Sequence, residues 1–231
     1  MTAVKTTSFA ERLIGLLAPH YCLGCRREGD LLCGACMVTG IDQDDTHCYR
    51  CSLPLSGSAL CQNCRPSSPF EAVFVAGNYE ELLERLIYAY KFDRAIAAHL
   101  PLIELLDNVL PQLSEATVVT IPTAAKRVRI RGYDHITLLG SGVAQRRGFT
   151  FSPVLQRQHQ LRQLGASRAV RQRQAMAAFR LTPGSDVKGR TIIVVDDVLT
   201  SGATLEAAAS LLRQAGAARL IGLVAAQQRL K

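Results

Sequence analysis

Residues 191–205 read TIIVVDDVLTSGATL, and this order of residue types constrains the chain more than any other stretch. Thr191 to Val195 form a run of β-branched and apolar side chains suited to a strand buried on both faces. Two adjacent carboxylates, Asp196 and Asp197, follow. A small-residue loop, Thr200, Ser201, Gly202, Ala203 and Thr204, then opens into an Ala/Leu-rich helix. The N–H groups of a first helical turn have no intrahelical partner and the helix dipole is positive there, so such a loop suits an anion. Acids just upstream can accept hydrogen bonds from sugar hydroxyls or stand beside a divalent cation. One short segment thus supplies contacts for a sugar and for its phosphate. Read only as a strand, a polar turn and a Thr-capped helix, it would leave the paired acids unexplained.

The segment resembles the signature of the type I phosphoribosyltransferases. In that family the paired acids bind the ribose hydroxyls of phosphoribosyl pyrophosphate (PRPP), and the loop after them holds its 5′-phosphate. The resemblance implies that Asp196 and Asp197 are catalytic, that Thr200, Ser201, Gly202, Ala203 and Thr204 bind PRPP, and that Mg²⁺ accompanies the ligand.

All eight cysteines lie between positions 22 and 64, in the C-x-x-C pairs Cys22/Cys25, Cys33/Cys36, Cys48/Cys51 and Cys61/Cys64. Two residues between thiols match the tight knuckle that directs both sulfurs at one tetrahedral metal. Four disulfide or redox pairs would be out of place in a reducing compartment, so two structural Zn²⁺ ions, each held by four thiolates, are expected. Seven, eleven and nine residues separate successive pairs, so the shortest loops join the first pair with the second and the third with the fourth. Interleaved pairing stays open, because spacing does not determine connectivity. His20 and His47 are read as ordinary loop residues, since eight thiols already fill two sites. Closed sites of this kind stabilise a module too small to fold on its own core and are not catalytic.

At 231 residues and 48% hydrophobic composition, the chain suits one domain of ordinary size plus a small appendage. No uncharged apolar run is long enough to span a bilayer, so no stable membrane insertion is expected. Ser8-Phe9-Ala10-Glu11 reads as a capping box opening a short helix over 7–18, and Glu11 and Arg12 interrupt its apolar stretch; a signal peptide is not expected, and the reading is cytoplasmic. The formal net charge is +8 with thiols neutral. Two Zn(Cys)₄ centres would bring it to about +4. Between Pro122 and Arg190 fourteen basic side chains face only Asp134 and Asp186, an asymmetry that implies a polyanionic ligand: pyrophosphate, nucleic acid or both.

Three segments are expected: an N-terminal helix within 1–19, a double zinc-ribbon module over 20–66, and an α/β domain over 70–231, with Pro66-Ser67-Ser68-Pro69 as the linker. In the last, strands are predicted at 72–76, 117–121, 191–195 and 220–226, and helices at 80–92, 94–110, 134–147 and 203–215. Gly148 and Gly216 are expected to close helices. Strands alternating with helices imply a mostly parallel sheet flanked by helices, with ligands at the carboxyl ends of the strands. Thr120-Ile121-Pro122-Thr123 ends such a strand and leads into Lys126, Arg127, Arg129 and Arg131. Pro122, Thr123, Arg127 and Arg131 are therefore candidate pyrophosphate contacts.

The cysteine-rich start joined to this domain is similar to the ComF/GntX family, which is linked to competence and DNA utilisation. Tyr79 with Leu86-Ile87 and Lys91-Phe92 matches that family's Y…LI…KF block; Pro122 with Arg131-Gly132-Tyr133 matches P…RG-aromatic; Gln163, Ser167, Arg171 and Phe179 match Q…S…R…F. The chain departs from the pattern at Asp134-His135, where Asn-Gln is usual, and at Gln174, where Asn is usual. The polar 156–178 segment occupies the place of the flexible loop of type I enzymes. Gln163, Ser167, Arg168 and Arg171 are then lid residues, with an exposed basic helix the alternative. His135 and His159 are read as surface residues, Lys91 and Phe92 as part of a cap over the sugar or of the core, and Tyr133 as the best-placed aromatic for stacking a base. The resemblance implies phosphoribosyl transfer to an unknown acceptor, associated with DNA uptake. The other reading is a non-catalytic PRPP sensor that binds single-stranded DNA and meets a helicase-like partner.

Overall fold

The structure, a computed structural model, describes residues 20–42, 46–56, 58–158 and 178–228. The expected helix at 7–18, the lid residues Gln163, Ser167, Arg168 and Arg171, and His159 lie outside the described residues. The cysteine-rich region consists of short pieces: β1 (His20–Tyr21) pairs antiparallel with β2 (Glu28–Gly29), α1 spans Gly34–Thr39, and β3 (Thr46–His47) pairs antiparallel with β4 (Pro54–Leu55).

From residue 72 the chain alternates strands and helices: β5 (Ala72–Val75), α2 (Glu81–Phe92), α3 (His99–Val109), β6 (Thr117–Thr120), α4 (Ala125–Arg131), α5 (His135–Arg147) and β7 (Thr150–Phe151). The antiparallel hairpin β8 (Leu155–Arg157) and β9 (Phe179–Leu181) follows, then β10 (Thr191–Leu199), α6 (Ala203–Gln214) and β11 (Arg219–Gln227). Five strands form one parallel sheet in the order β5-β11-β10-β6-β7, which is the expected α/β architecture. Helix α3 starts later than predicted: a 3-10 turn covers Ile96–Ala98. Pro101 then sits in the first turn of α3, where its missing N–H costs nothing.

Strand β10 is central, and alternation decides which face each side chain serves. Ile193 and Val195 join the core beneath α2, α3 and α5; Ile192 and Val194 join the core beneath α6. Each cysteine cluster shares one of these cores. Cys22, Leu32, Met37 and Ile41 pack with Leu83 and Leu86, while Cys48, Tyr49, Leu60 and Cys61 pack with Val73 and Val75 on the opposite face. The side chain of Gln227, fully buried at the end of β11, donates to the His47 carbonyl at 2.8 Å and accepts from the His47 N–H at 3.3 Å.

Helix α5 approaches the sheet through glycine. A Cβ on Gly140 would collide with Thr120 Cγ2 and stand 3.2 Å from Phe151 Cε2. Gly140→Ala is therefore expected to destabilise by about 1–2 kcal/mol, because overpacking outweighs the gain in helix propensity. A lowered urea midpoint with unchanged slope would bear this out; a raised midpoint would contradict it.

Candidate functional site

The site arises from a mismatch of strand lengths. The strand carrying the acids was predicted to stop at Val195 but runs to Leu199, because β11 pairs with it throughout, through Asp196↔Val224 and Leu199↔Gln227. On the other side β6 pairs only as far as Thr120↔Val195, and Pro122, which has no N–H to extend the ladder, turns the chain away. Beyond that point β10 has an open flank, and a cleft of about 560 Å³ lies there.

Both acids line this cleft. So do Pro122, Thr123, Arg127 and Arg131 from the β6–α4 segment, and Thr204 from α6. Thr200, Ser201, Gly202 and Ala203 flank Thr204 without lining the cleft; Thr200, Ser201 and Ala203 are exposed. Gly202 is the N-cap of α6 with φ 72°, and no side chain caps that first turn. Its amides are thus not claimed by a local side chain, as an anion site requires.

Arg131 is buried, at 7% exposure. Its Nε donates to the Lys91 carbonyl at 2.7 Å and its Nη1 meets His135 Nδ1, so its guanidinium braces the wall as well as facing the cleft. Tyr133 is not among the lining residues: its hydroxyl donates to the Tyr90 carbonyl and its ring packs 5.5 Å from that of Tyr90. Phe92 and Ile130, each 62% exposed, stand at the cleft instead.

Two participants, His135 and Arg157, were not recognised in the sequence, and Lys91 was read only as part of a cap over the sugar or of the core. His135, read as a surface residue, is 4% exposed and its Nε2 lies 2.6 Å from Asp197 Oδ2. Lys91 Nζ lies 2.7 Å from the same oxygen. Arg157, on β8, lines the cleft and stacks over Phe179 with its guanidinium carbon 5.8 Å from the ring centre. The departure at Asp134-His135 was the available signal. Asp134 Oδ1 caps α5 by accepting from Ile136 N at 3.2 Å and takes the Thr123 hydroxyl at 2.9 Å. The imidazole then does for Asp197 what a carboxamide donor would do.

Electrostatics separates the acids. Burial and the neighbouring charge of Asp197 push Asp196 up to about 8, so it is held protonated at neutral pH. Burial also opposes ionisation of Asp197, but the hydrogen bond from His135 and the charge of Lys91 outweigh it and hold that carboxyl well below its ordinary range. Burial lowers His135 despite the pull of Asp197, leaving a neutral ring. A neutral ring with Nε2–H toward Asp197 has Nδ1 free to accept from Arg131, which makes the network self-consistent.

The cysteines form two four-sulfur clusters, Cys22/Cys25/Cys33/Cys36 and Cys48/Cys51/Cys61/Cys64, with all Sγ atoms of each within 4.8 Å of one another. Sequential pairing is thereby chosen over interleaving, and neither His20 nor His47 belongs to a cluster. The Cys22–Cys33, Cys25–Cys33 and Cys51–Cys61 sulfurs stand 3.7, 3.8 and 3.7 Å apart. A tetrahedral Zn²⁺ with bonds of about 2.3 Å requires sulfurs about 3.8 Å apart, so the donor sets fit zinc. Burial disfavours the thiolate of Cys22, yet backbone N–H groups pull it down to about 6, while hydrogen bonding from Cys33 pushes Cys36 up to about 12. Four thiols this close ionise together only around a cation.

Residues 145–230 match the phosphoribosyl transferase domain family. The DNA utilization protein YhgH of Escherichia coli strain K12 is 29% identical, covering 88% of this chain and 95% of that protein. The chain is a homologue of the competence and DNA-utilization proteins. Competence protein ComFC of Streptococcus pneumoniae is 24% identical over 83% of this chain and 86% of its own length. Competence protein F of Haemophilus influenzae is 28% identical over 84% and 91%. The chain thus combines a phosphoribosyltransferase-like domain with two Cys₄ clusters that fit zinc ribbons. No helix among its described residues is long and apolar enough to cross a membrane.

Proposed function

We propose that the cleft binds Mg²⁺–PRPP and that the protein transfers the phosphoribosyl group to an acceptor in a process serving DNA uptake or utilisation. The observation that carries this reading is the placement of Asp196 and Asp197 on the open flank of β10, between a basic turn and an uncapped helix N-terminus. In this reading the acids accept the ribose hydroxyls, the loop from Thr200 to Thr204 holds the 5′-phosphate, and Arg127, Arg131 and the turn at Pro122 and Thr123 face the pyrophosphate. The C1–O bond breaks with its electron pair leaving on pyrophosphate, a C1–N bond to the acceptor forms, and the acceptor nitrogen gives up its proton to the released pyrophosphate or to water. The protein supplies positioning and fixed charge. Among the described residues no carboxylate cluster forms a metal cage, so Mg²⁺ would be held largely by the ligand's own oxygens, offsetting pyrophosphate charge.

One observation favours binding without turnover. Lys91 neutralises Asp197 at 2.7 Å, which weakens the help that acid could give a cation developing at C1. The second reading is accordingly a PRPP-sensing accessory protein that contacts single-stranded DNA through the basic rim, alongside a helicase-like partner. Calorimetry with Mg²⁺–PRPP, followed by a pyrophosphate-release assay with candidate bases, separates the two. Saturable uptake with release supports transfer, uptake without release supports the sensor, and no uptake removes both.

A further inference from the structure

The third knuckle brackets two residues, Tyr49 and Arg50: Tyr49 meets the loop after β10, and both reach the first turn of α6. The Tyr49 ring, 3% exposed, lies against Gly202, where a Cβ would stand 2.6 Å from its Cε2. Only glycine lets ring and loop meet there, and Gly202 also holds φ 72°. The Tyr49 hydroxyl donates to Glu206 Oε1 at 2.9 Å, and Arg50 Nε pairs with the same oxygen at 3.1 Å. The knuckle side is equally anchored. Tyr49 N donates to the Ala59 carbonyl at 3.0 Å, and Arg50 Nη1 donates to Ser67 Oγ at 2.7 Å and to the carbonyl of Cys64, itself in the second cluster, at 3.2 Å.

Glu206 lies in the first turn of α6. A carboxylate there is attracted to the same positive helix end that would receive a phosphate, and its charge would repel that phosphate. Tyr49 and Arg50 tie it down and offset its charge. The first Cys₄ cluster packs elsewhere, with Gly24 and Gly40 against Leu82 of α2.

We propose that Tyr49 and Arg50 are positioning residues for the phosphate loop, and that the second Cys₄ centre, by shaping their knuckle, controls how firmly residues 200–204 hold a phosphoester. The proposal rests on the phosphate-binding reading of that loop. The two metal centres are then unequal: the second tunes the ligand site, and the first supports the fold.

The test measures amide hydrogen exchange over residues 199–206 in ligand-free, zinc-loaded protein, together with zinc content and Mg²⁺–PRPP affinity. The full chain is compared with Tyr49→Leu, Tyr49→Phe, Arg50→Ala, Cys64→Ser and Cys36→Ser. Tyr49→Leu and Arg50→Ala are expected to keep both zinc ions, to speed exchange in the loop about tenfold and to weaken PRPP by about the same factor, the cost of a lost charge-assisted hydrogen bond. Tyr49→Phe, which keeps the ring, should show the same change to a smaller degree. Cys64→Ser should lose one zinc and loosen the loop beyond the exchange of β6 and β11, whereas Cys36→Ser should lose one zinc and leave loop exchange unchanged relative to those strands. Unchanged loop exchange in Tyr49→Leu and Arg50→Ala, or equal loosening by both cysteine variants, would overturn the proposal. If the unaltered protein takes up no PRPP, the phosphate reading fails, and the exchange data alone decide whether the knuckle holds the loop.

Discussion

Asp196→Asn is expected to weaken Mg²⁺–PRPP binding ten- to a hundredfold while raising stability at pH 8 by on the order of 5 kcal/mol. In the folded protein burial and Asp197 lift this carboxyl from its ordinary 3.8 to about 8. Between those values the folded state binds a proton that the unfolded chain has released, so the wild type loses stability as pH rises through the window. Asparagine resembles the protonated acid and has no proton to lose. Its advantage should therefore appear above about pH 4, grow, and level off above about pH 8. Asp197→Asn should behave oppositely. It weakens the ligand too, but it leaves Lys91 and His135 facing each other without a carboxylate, at a cost of on the order of 3 kcal/mol. Denaturant melts from pH 5 to 9 beside calorimetric titrations check both. A stability loss for Asp196→Asn at pH 8 with unchanged affinity would make Asp196 a structural acid and remove the functional reading of the pair.

Stripping metal has the largest expected effect on folding. Each Cys₄ centre should bind zinc with roughly 10 kcal/mol or more of free energy that is also folding energy. Because the two cysteine clusters share hydrophobic cores with opposite faces of the sheet, their loss uncovers Leu83 and Leu86 on one side and Val73 and Val75 on the other. A strong chelator under reducing conditions should release two zinc ions per chain and lower the unfolding midpoint by more than about 10 °C in a single transition. A shift of only a few degrees, with the α/β body melting as before, would make the ribbons a dispensable appendage. Release of a number other than two would contradict the four-thiolate assignment.

Chain-local features were readable from residue order. Two residues between thiols make a knuckle, a β-branched run makes a buried strand, and Asp-Asp before a glycine-containing loop places two acids beside a helix start; each depends on neighbours a few positions away. Even there the length of β10 was misjudged, because a strand continues wherever a partner supplies hydrogen bonds, and β11 does so as far as Gln227. The environment of the acids was not readable. Lys91 and His135 reach one oxygen of Asp197 from α2 and α5, and Tyr49 meets Gly202 across more than half of the chain. Residue order thus determined which groups the protein carries and their local backbone, because those follow from short-range sterics and spacing. Packing of the helices and knuckles on the sheet alone decided which acid is charged, which arginine is buried and what supports the loop, since burial and charge separation depend on contacts between residues far apart in the chain.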